Sequence, residues 1–202
     1  MAKTKLGLLM ACLLFMSFAS ALAQKQDEQP ATVKIDVRDY CDPVSFALIG
    51  CDRTATPVAN GIITLTGFQA ELAADKSVGA WRFAPDHASA SEGAELNITN
   101  LGGETHTFTR VKKFGGGFVA GLNAASGNLT PAPECAQMVG GKLVPQPPSA
   151  DNQFLPAGTS ATAEVKEGDT ANFQCCIHPW MRITVRAKEN GDEHHGEDHD
   201  RQ

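Results

Sequence analysis

Short runs of alternating side chains, cut apart by glycine, proline and asparagine, constrain the fold of this chain more than any other feature. Glu95-Leu-Asn-Ile-Thr99 and His106-Thr-Phe-Thr-Arg-Val111 alternate with period two, as strands with one buried face do. Asn100-Leu-Gly-Gly103 parts them as a turn. The same rhythm appears in Thr32-Val-Lys-Ile-Asp-Val37 and again at residues 161–165, 171–175 and 183–187, with Trp81-Arg-Phe83 before a turn and Glu167-Gly-Asp169 forming another. Many short strands separated by turn signals predict an all-β sandwich. Gly61-Ile-Ile-Thr-Leu-Thr66 reads as a further strand. Phe68 and Leu72, with alanines at helical spacing as far as Ala74, predict one short helix.

Residues 1–23 read as a secretory signal peptide. Lys3 and Lys5 form its positive start, residues 6–18 its apolar core, and Ala21-Leu-Ala23 its cleavage site. Leu9-Met-Ala-Cys12 loosely resembles a lipobox, but Cys12 lies too early, inside the apolar core. The apolar run is short for a spanning helix, and no other segment is long enough, so a mature chain without a membrane span is expected. Roughly 180 remaining residues predict one domain over 24–188. Within it, 31–80 is either an N-terminal extension or additional strands, and 112–155 is a long loop rich in Gly and Pro. Residues 189–202 are an acidic, histidine-containing tail that should be disordered. The whole chain carries −6; without Lys3 and Lys5 it carries −8, of which the tail contributes −5. A body left near −3 argues against nucleic acid, whose phosphates need a basic surface.

Five cysteines survive cleavage: Cys41, Cys51, Cys135, Cys175 and Cys176. An oxidising compartment favours disulfides, and an odd count leaves one thiol over. Cys175, His178 and Met181 place a thiol, an imidazole and a thioether at Cys-x2-His-x2-Met spacing. Thiolate and thioether suit Cu(I), imidazole suits either oxidation state, and two histidines, one cysteine and a weak axial methionine make a blue-copper site. The second histidine must come from elsewhere. His106 follows a Gly-Gly turn and opens an alternating strand, whereas His87 sits in a Pro-Asp-His turn and reads as a surface residue; His106 is the preferred ligand. Neighbours on a strand face opposite ways, so only one of Cys175 and Cys176 can face a metal. If that is Cys175, the other four can pair in three ways. Cys41–Cys51, closing a short local loop, and Cys135–Cys176, stapling the long loop to the metal strand, are preferred. Met138, the only other methionine after the leader, is expected to fill a gap beneath the long loop.

Over roughly residues 81–188, leaving out the long loop, the chain resembles the cupredoxins, the small blue-copper proteins such as plastocyanin and amicyanin. The likeness rests on the lone His106 after an Asn/Gly turn and the later Gly-Asp turn. It continues in an aromatic-containing strand ending in Cys175-x-x-His178-Pro-x-Met181, then a last strand. The Cys-x2-His-Pro-aromatic-Met-Arg spacing is especially similar to amicyanin's. The resemblance implies an eight-strand Greek-key sandwich with one type 1 copper at one end, bound by His106, Cys175, His178 and Met181. It favours Cys175 over Cys176, which would leave a single residue before His178. Two departures stand out: Thr107 follows the first histidine, where many members have Asn or Ser, and Cys175 is followed by a second cysteine.

These expectations point to a periplasmic or secreted one-electron carrier, a monomer that docks a small redox protein or oxidoreductase near His178 and Trp180. The alternative is a copper-binding module for delivery, resistance or storage, mildly favoured by His194, His195 and His199 in the tail; the tail also reads simply as solubilising. An enzyme is not expected. Catalytic copper would need further histidine pairs and no His-x-His exists, while adjacent Cys175 and Cys176 are not spaced to bridge two metals.

Overall fold

The computed structural model describes residues 32–54, 62–91, 93–166 and 170–188. The leader, the Glu167-Gly-Asp169 turn and the tail histidines lie outside the described residues. Among those described, no helix is long and apolar enough to cross a membrane.

The alternating runs become strands of two facing sheets. One sheet holds β1 (Val33–Arg38), β2 (Arg82–Ala84), β4 (Glu95–Asn100) and β9 (Ser160–Glu164), in the order β2-β1-β4-β9. The other holds β3 (His87–Ser91), β5 (His106–Val111), β8 (Asn152–Leu155), β10 (Thr170–Gln174) and β11 (Arg182–Lys188), in the order β3-β11-β10-β5-β8. The chain crosses between sheets after β2, β3, β4, β8 and β9, which makes a sandwich. These nine described strands exceed the eight that the resemblance implied. In the first sheet β1 runs parallel to β4 with Ile35 opposite Ile98, and antiparallel to β2 with Val37 opposite Phe83.

Period two sends every second residue inward, and large apolar side chains meet there. Phe108 of β5 stacks on Phe173 of β10 at 4.3 Å between ring centroids, and Phe83 of β2 meets Phe108 edge-on at 5.3 Å. Ile35, Leu96, Ile98, Ile183 and Val185 complete a core from which water is excluded. Truncating a buried phenylalanine of this kind to alanine costs about 3–5 kcal/mol.

Three stretches differ from the sequence reading. His87, read as part of a Pro-Asp-His turn, opens β3, which pairs parallel with β11. The expected strand over Gly61-Ile-Ile-Thr-Leu-Thr66 is replaced: Ile63 makes a single bridge to Cys41, and a helix, α1 (Leu65–Asp75), begins two residues later. Thr64 caps it by accepting the Gly67 N–H, and the helix buries Phe68 and Leu72, a better use of Leu65, Phe68 and Leu72 than alternation would be. The stretch 112–155 is also more ordered than a loop. It contains α2 (Ala120–Ala125), a hairpin of β6 (Ala136–Val139) and β7 (Lys142–Pro145), and β8, which pairs with β5. The hairpin turns on Gly140 and Gly141, whose φ angles of 56° and 77° match the twist that two-residue turns require. Met138 stands on this hairpin 60% exposed and fills no gap.

Candidate metal centre

His106 is the first residue of β5, and Cys175 follows directly on β10. These two strands pair antiparallel, with Gln174 opposite Thr109, so the pairing itself carries the two ligands to the same end of the sandwich. The connection from β10 to β11 is closed at its neck: the Cys175 N–H donates to the Met181 carbonyl at 3.0 Å, and the Met181 N–H to the His178 carbonyl at 2.9 Å. His178 is thereby folded back towards Cys175. Cys175 Sγ lies 3.8 Å from Nδ1 of His106 and 3.8 Å from Nδ1 of His178. All three donor atoms lie within 4.8 Å of one another and are buried. Met181, also buried, closes the loop within the same core. His87 is elsewhere, its side chain 83% exposed and paired with Asp86.

The spacing fits one ion. With bonds of about 2.3 Å to sulfur and 2.0 Å to nitrogen, as zinc makes them, trigonal ligands stand about 3.7 Å apart. Soft thiolate and thioether donors beside two imidazoles are a copper-type set.

The doubled cysteine is sorted as the alternation predicts. Cys175 is free, while Cys176 is bridged to Cys135 and Cys41 to Cys51. Thr107, the departure noted after the first histidine, serves both neighbours: its N–H donates to Cys175 Sγ at 3.4 Å, and its hydroxyl accepts the Cys176 N–H at 2.7 Å. The glycine run 115–117 lies against this strand. Gln174 accepts the Gly115 N–H and donates back to the Gly115 carbonyl, and the Asn123 amide does the same for Gly117. A Cβ on Gly117 would stand 1.7 Å from the Cys176 carbonyl oxygen, so only glycine allows this approach.

Two carboxylates back the histidines, and the sequence reading missed both. Asp39, in the turn after β1, meets His106 Nε2 at 2.9 Å. Glu104 meets His178 Nε2 at 3.6 Å and accepts the Trp81 indole N–H. Glu104 was within reach of sequence reasoning, two residues before His106 on the same glycine turn. Asp39 lies 67 residues from its partner, and nothing in its neighbourhood marks it. Asn100 shapes the turn between them, accepting the Gly102 N–H and donating to the Glu104 and Leu155 carbonyls.

Charge follows from these contacts. Burial opposes ionisation of Asp39, yet the hydrogen bond and charge of His106 and the Gly103 and Glu104 amides outweigh it and hold the carboxyl below its usual range. Burial likewise opposes the imidazolium of His106, but Asp39 and Cys175 raise its pKa to about 10. The Cys175 thiol is pulled well down, against its own burial, by hydrogen bonds with the two histidines. Glu104 is raised, chiefly by burial. Cys175 and His106 thus each favour the other's charged form, with ligand atoms already converging.

Aromatic side chains cover one flank. Phe68 of α1 and Trp180 lie 6.5 Å and 5.5 Å from the His178 ring, and Phe68 packs on Trp81 and Phe46. His178 is left 3% exposed, while Trp180 is half-buried. On the other flank a surface pocket of about 370 Å³ is lined by His178, Glu104, Ile177, Pro156 and Ile49.

A two-sheet sandwich with one histidine opening a strand, and a cysteine, a histidine and a methionine in the connection between the last two strands, is the arrangement the resemblance implied. The fold is cupredoxin-like. No protein-family model matches the chain, and no curated protein matches it. Among solved structures, a purple cupredoxin from Nitrosopumilus maritimus is 14% identical, covering 76% of this chain and 98% of its own at a TM-score of 0.35. Plastocyanin from Dryopteris crassirhizoma is 18% identical, covering 77% and 100% at 0.34. A multicopper oxidase that functions in iron import, 11% identical, covers 93% of this chain and 38% of its own at 0.31. Likenesses this distant carry no argument about the chemistry, which rests on the donors themselves.

Proposed function

We propose that this chain is a periplasmic or secreted type 1 copper protein that carries one electron at a time. The observation behind this reading is the convergence of Cys175 Sγ with Nδ1 of His106 and His178, all buried and held by hydrogen bonds of the protein. Copper held by His106, Cys175, His178 and Met181 would supply a centre able to alternate between Cu(I) and Cu(II). The chain's part is rigidity. Strand pairing fixes His106 and Cys175, the closed neck of residues 175–181 fixes His178, and the aromatic cover keeps water away. Ligands that need not move when charge changes suit a carrier. Trp180, half-buried against His178, is the natural contact for a small redox partner, and a small interface suffices for such encounters.

Delivery or storage of copper is the competing reading. Handing a metal on calls for a donor that a partner can reach, and the three converging donors here are buried; this favours the carrier. The test is the visible spectrum of the copper-loaded protein. An intense thiolate-to-Cu(II) band, with a reversible midpoint potential, supports the proposal. A colourless Cu(II) form rejects it, and rapid copper transfer to an acceptor protein with no reversible couple would favour delivery.

A further inference from the structure

Asp39 is far more elaborately held than a residue that merely steadies a ring would need to be. Its side chain is fully buried. Oδ1 accepts the N–H groups of Cys41 at 3.2 Å and Gly103 at 3.0 Å, with the Arg53 guanidinium at 3.5 Å; Oδ2 accepts the Glu104 N–H at 3.0 Å and meets His106 Nε2 at 2.9 Å. The turn reaches Asp39 only because residue 102 is glycine: a Cβ there would stand 2.0 Å from Oδ2. A backbone carbonyl could orient His106 equally well. A carboxylate adds a full negative charge one imidazole away from the ligand nitrogen, in a site where water screens little.

We infer that Asp39 is a positioning residue that fixes His106 with Nδ1 towards the metal and, through its charge, biases bound copper towards Cu(II). This rests on the copper reading above. Donation of Nε2–H to a carboxylate fixes the tautomer and makes the ring a stronger donor, and negative charge behind the ligand favours the doubly charged ion over the singly charged one. Glu104 acts in the same sense on His178. Its effect is smaller because the contact is longer, at 3.6 Å, and its oxygen is shared with the Trp81 indole. Arg53 works the other way, its guanidinium partly neutralising Asp39 from the far side.

The experiment is an optical redox titration of the copper-loaded full-length mature chain and of three variants. Asp39→Asn should keep the thiolate band and move the ratio of Cu(I) to Cu(II) affinity at least tenfold towards Cu(I), which for one electron raises the midpoint potential by about 59 mV. Glu104→Gln should move it the same way by less. Arg53→Gln should lower it, a change that a purely structural role for Asp39 does not produce. If Asp39→Asn fails to fold, Arg53→Gln decides the matter. An unchanged potential in a folded, coloured Asp39→Asn protein, or a potential that rises in Arg53→Gln, overturns the inference and leaves the copper reading standing. A wild-type protein without the band overturns both.

Discussion

The connection at residues 175–181 and the early stretches 33–54 and 62–68 meet at the same end of the sandwich, but they build the centre by different means. The first contributes Cys175, His178 and Met181 from seven consecutive residues, closed by two backbone hydrogen bonds. The early stretches contribute a carboxylate on β1's exit, Asp39, and two rings, Phe46 and Phe68, none of which touches the others in sequence. Ligation demands particular atoms at fixed spacing; backing and shielding demand only charge and bulk, which any part of a chain can supply. The centre therefore has a local, exacting half and a distant, permissive half.

The sharpest way to break this contrast is Cys175→Ser, which should abolish the thiolate band entirely while leaving the far-ultraviolet circular dichroism unchanged. Retention of the band would move the thiolate elsewhere. Next in size are the two disulfides. In the chain-entropy view, removing the Cys135–Cys176 bridge, with a sequence separation of 41, should cost about 4 kcal/mol, and removing Cys41–Cys51, with a separation of 10, about 3 kcal/mol. Denaturant melts of the paired serine variants measure both, and equal losses would mean that native contacts, not loop closure, dominate. On the permissive side, Phe68→Ala should cost about 3 kcal/mol and speed the reaction of bound copper with a soluble chelator, since it uncovers His178; an unchanged rate would show that α1 shields nothing. The smallest effect is expected from Gly102→Ala. It crowds Asp39 and should cost about 1–3 kcal/mol by overpacking, with the band retained and the potential shifted upward as in Asp39→Asn.

How much of this was legible in the sequence follows the same division. The strands at 95–100 and 106–111 were readable because each buries one face, and burial imposes period two. Cys175, His178 and His106 were readable because few residue types can ligate. That only one of Cys175 and Cys176 could face a metal followed from the opposed directions of neighbouring strand side chains; the Cys135–Cys176 bridge was a preference among three pairings, which the structure bears out. Residues 61–66 misled because β-branched Ile62, Ile63 and Thr64 favour a strand, whereas the Thr64 hydroxyl is better used as a helix cap. The β6–β7 hairpin did leave a signal in Gly140-Gly141, lost among neighbouring glycines and prolines. Asp39 left none. A buried carboxylate looks like any surface aspartate until the strands that enclose it are in place.

The adjacency of Cys175 and Cys176 turns maturation into a sorting problem. Two thiols one residue apart both lie within reach of Cys135 as the chain folds, and a bridge to Cys175 would consume the thiolate on which the centre depends. The fold resolves the choice through the hydroxyl of Thr107 and the glycine run at 115–117, which hold the Cys176 backbone against the segment that carries Cys135. In such a chain the correct disulfide and the free thiol are a single decision.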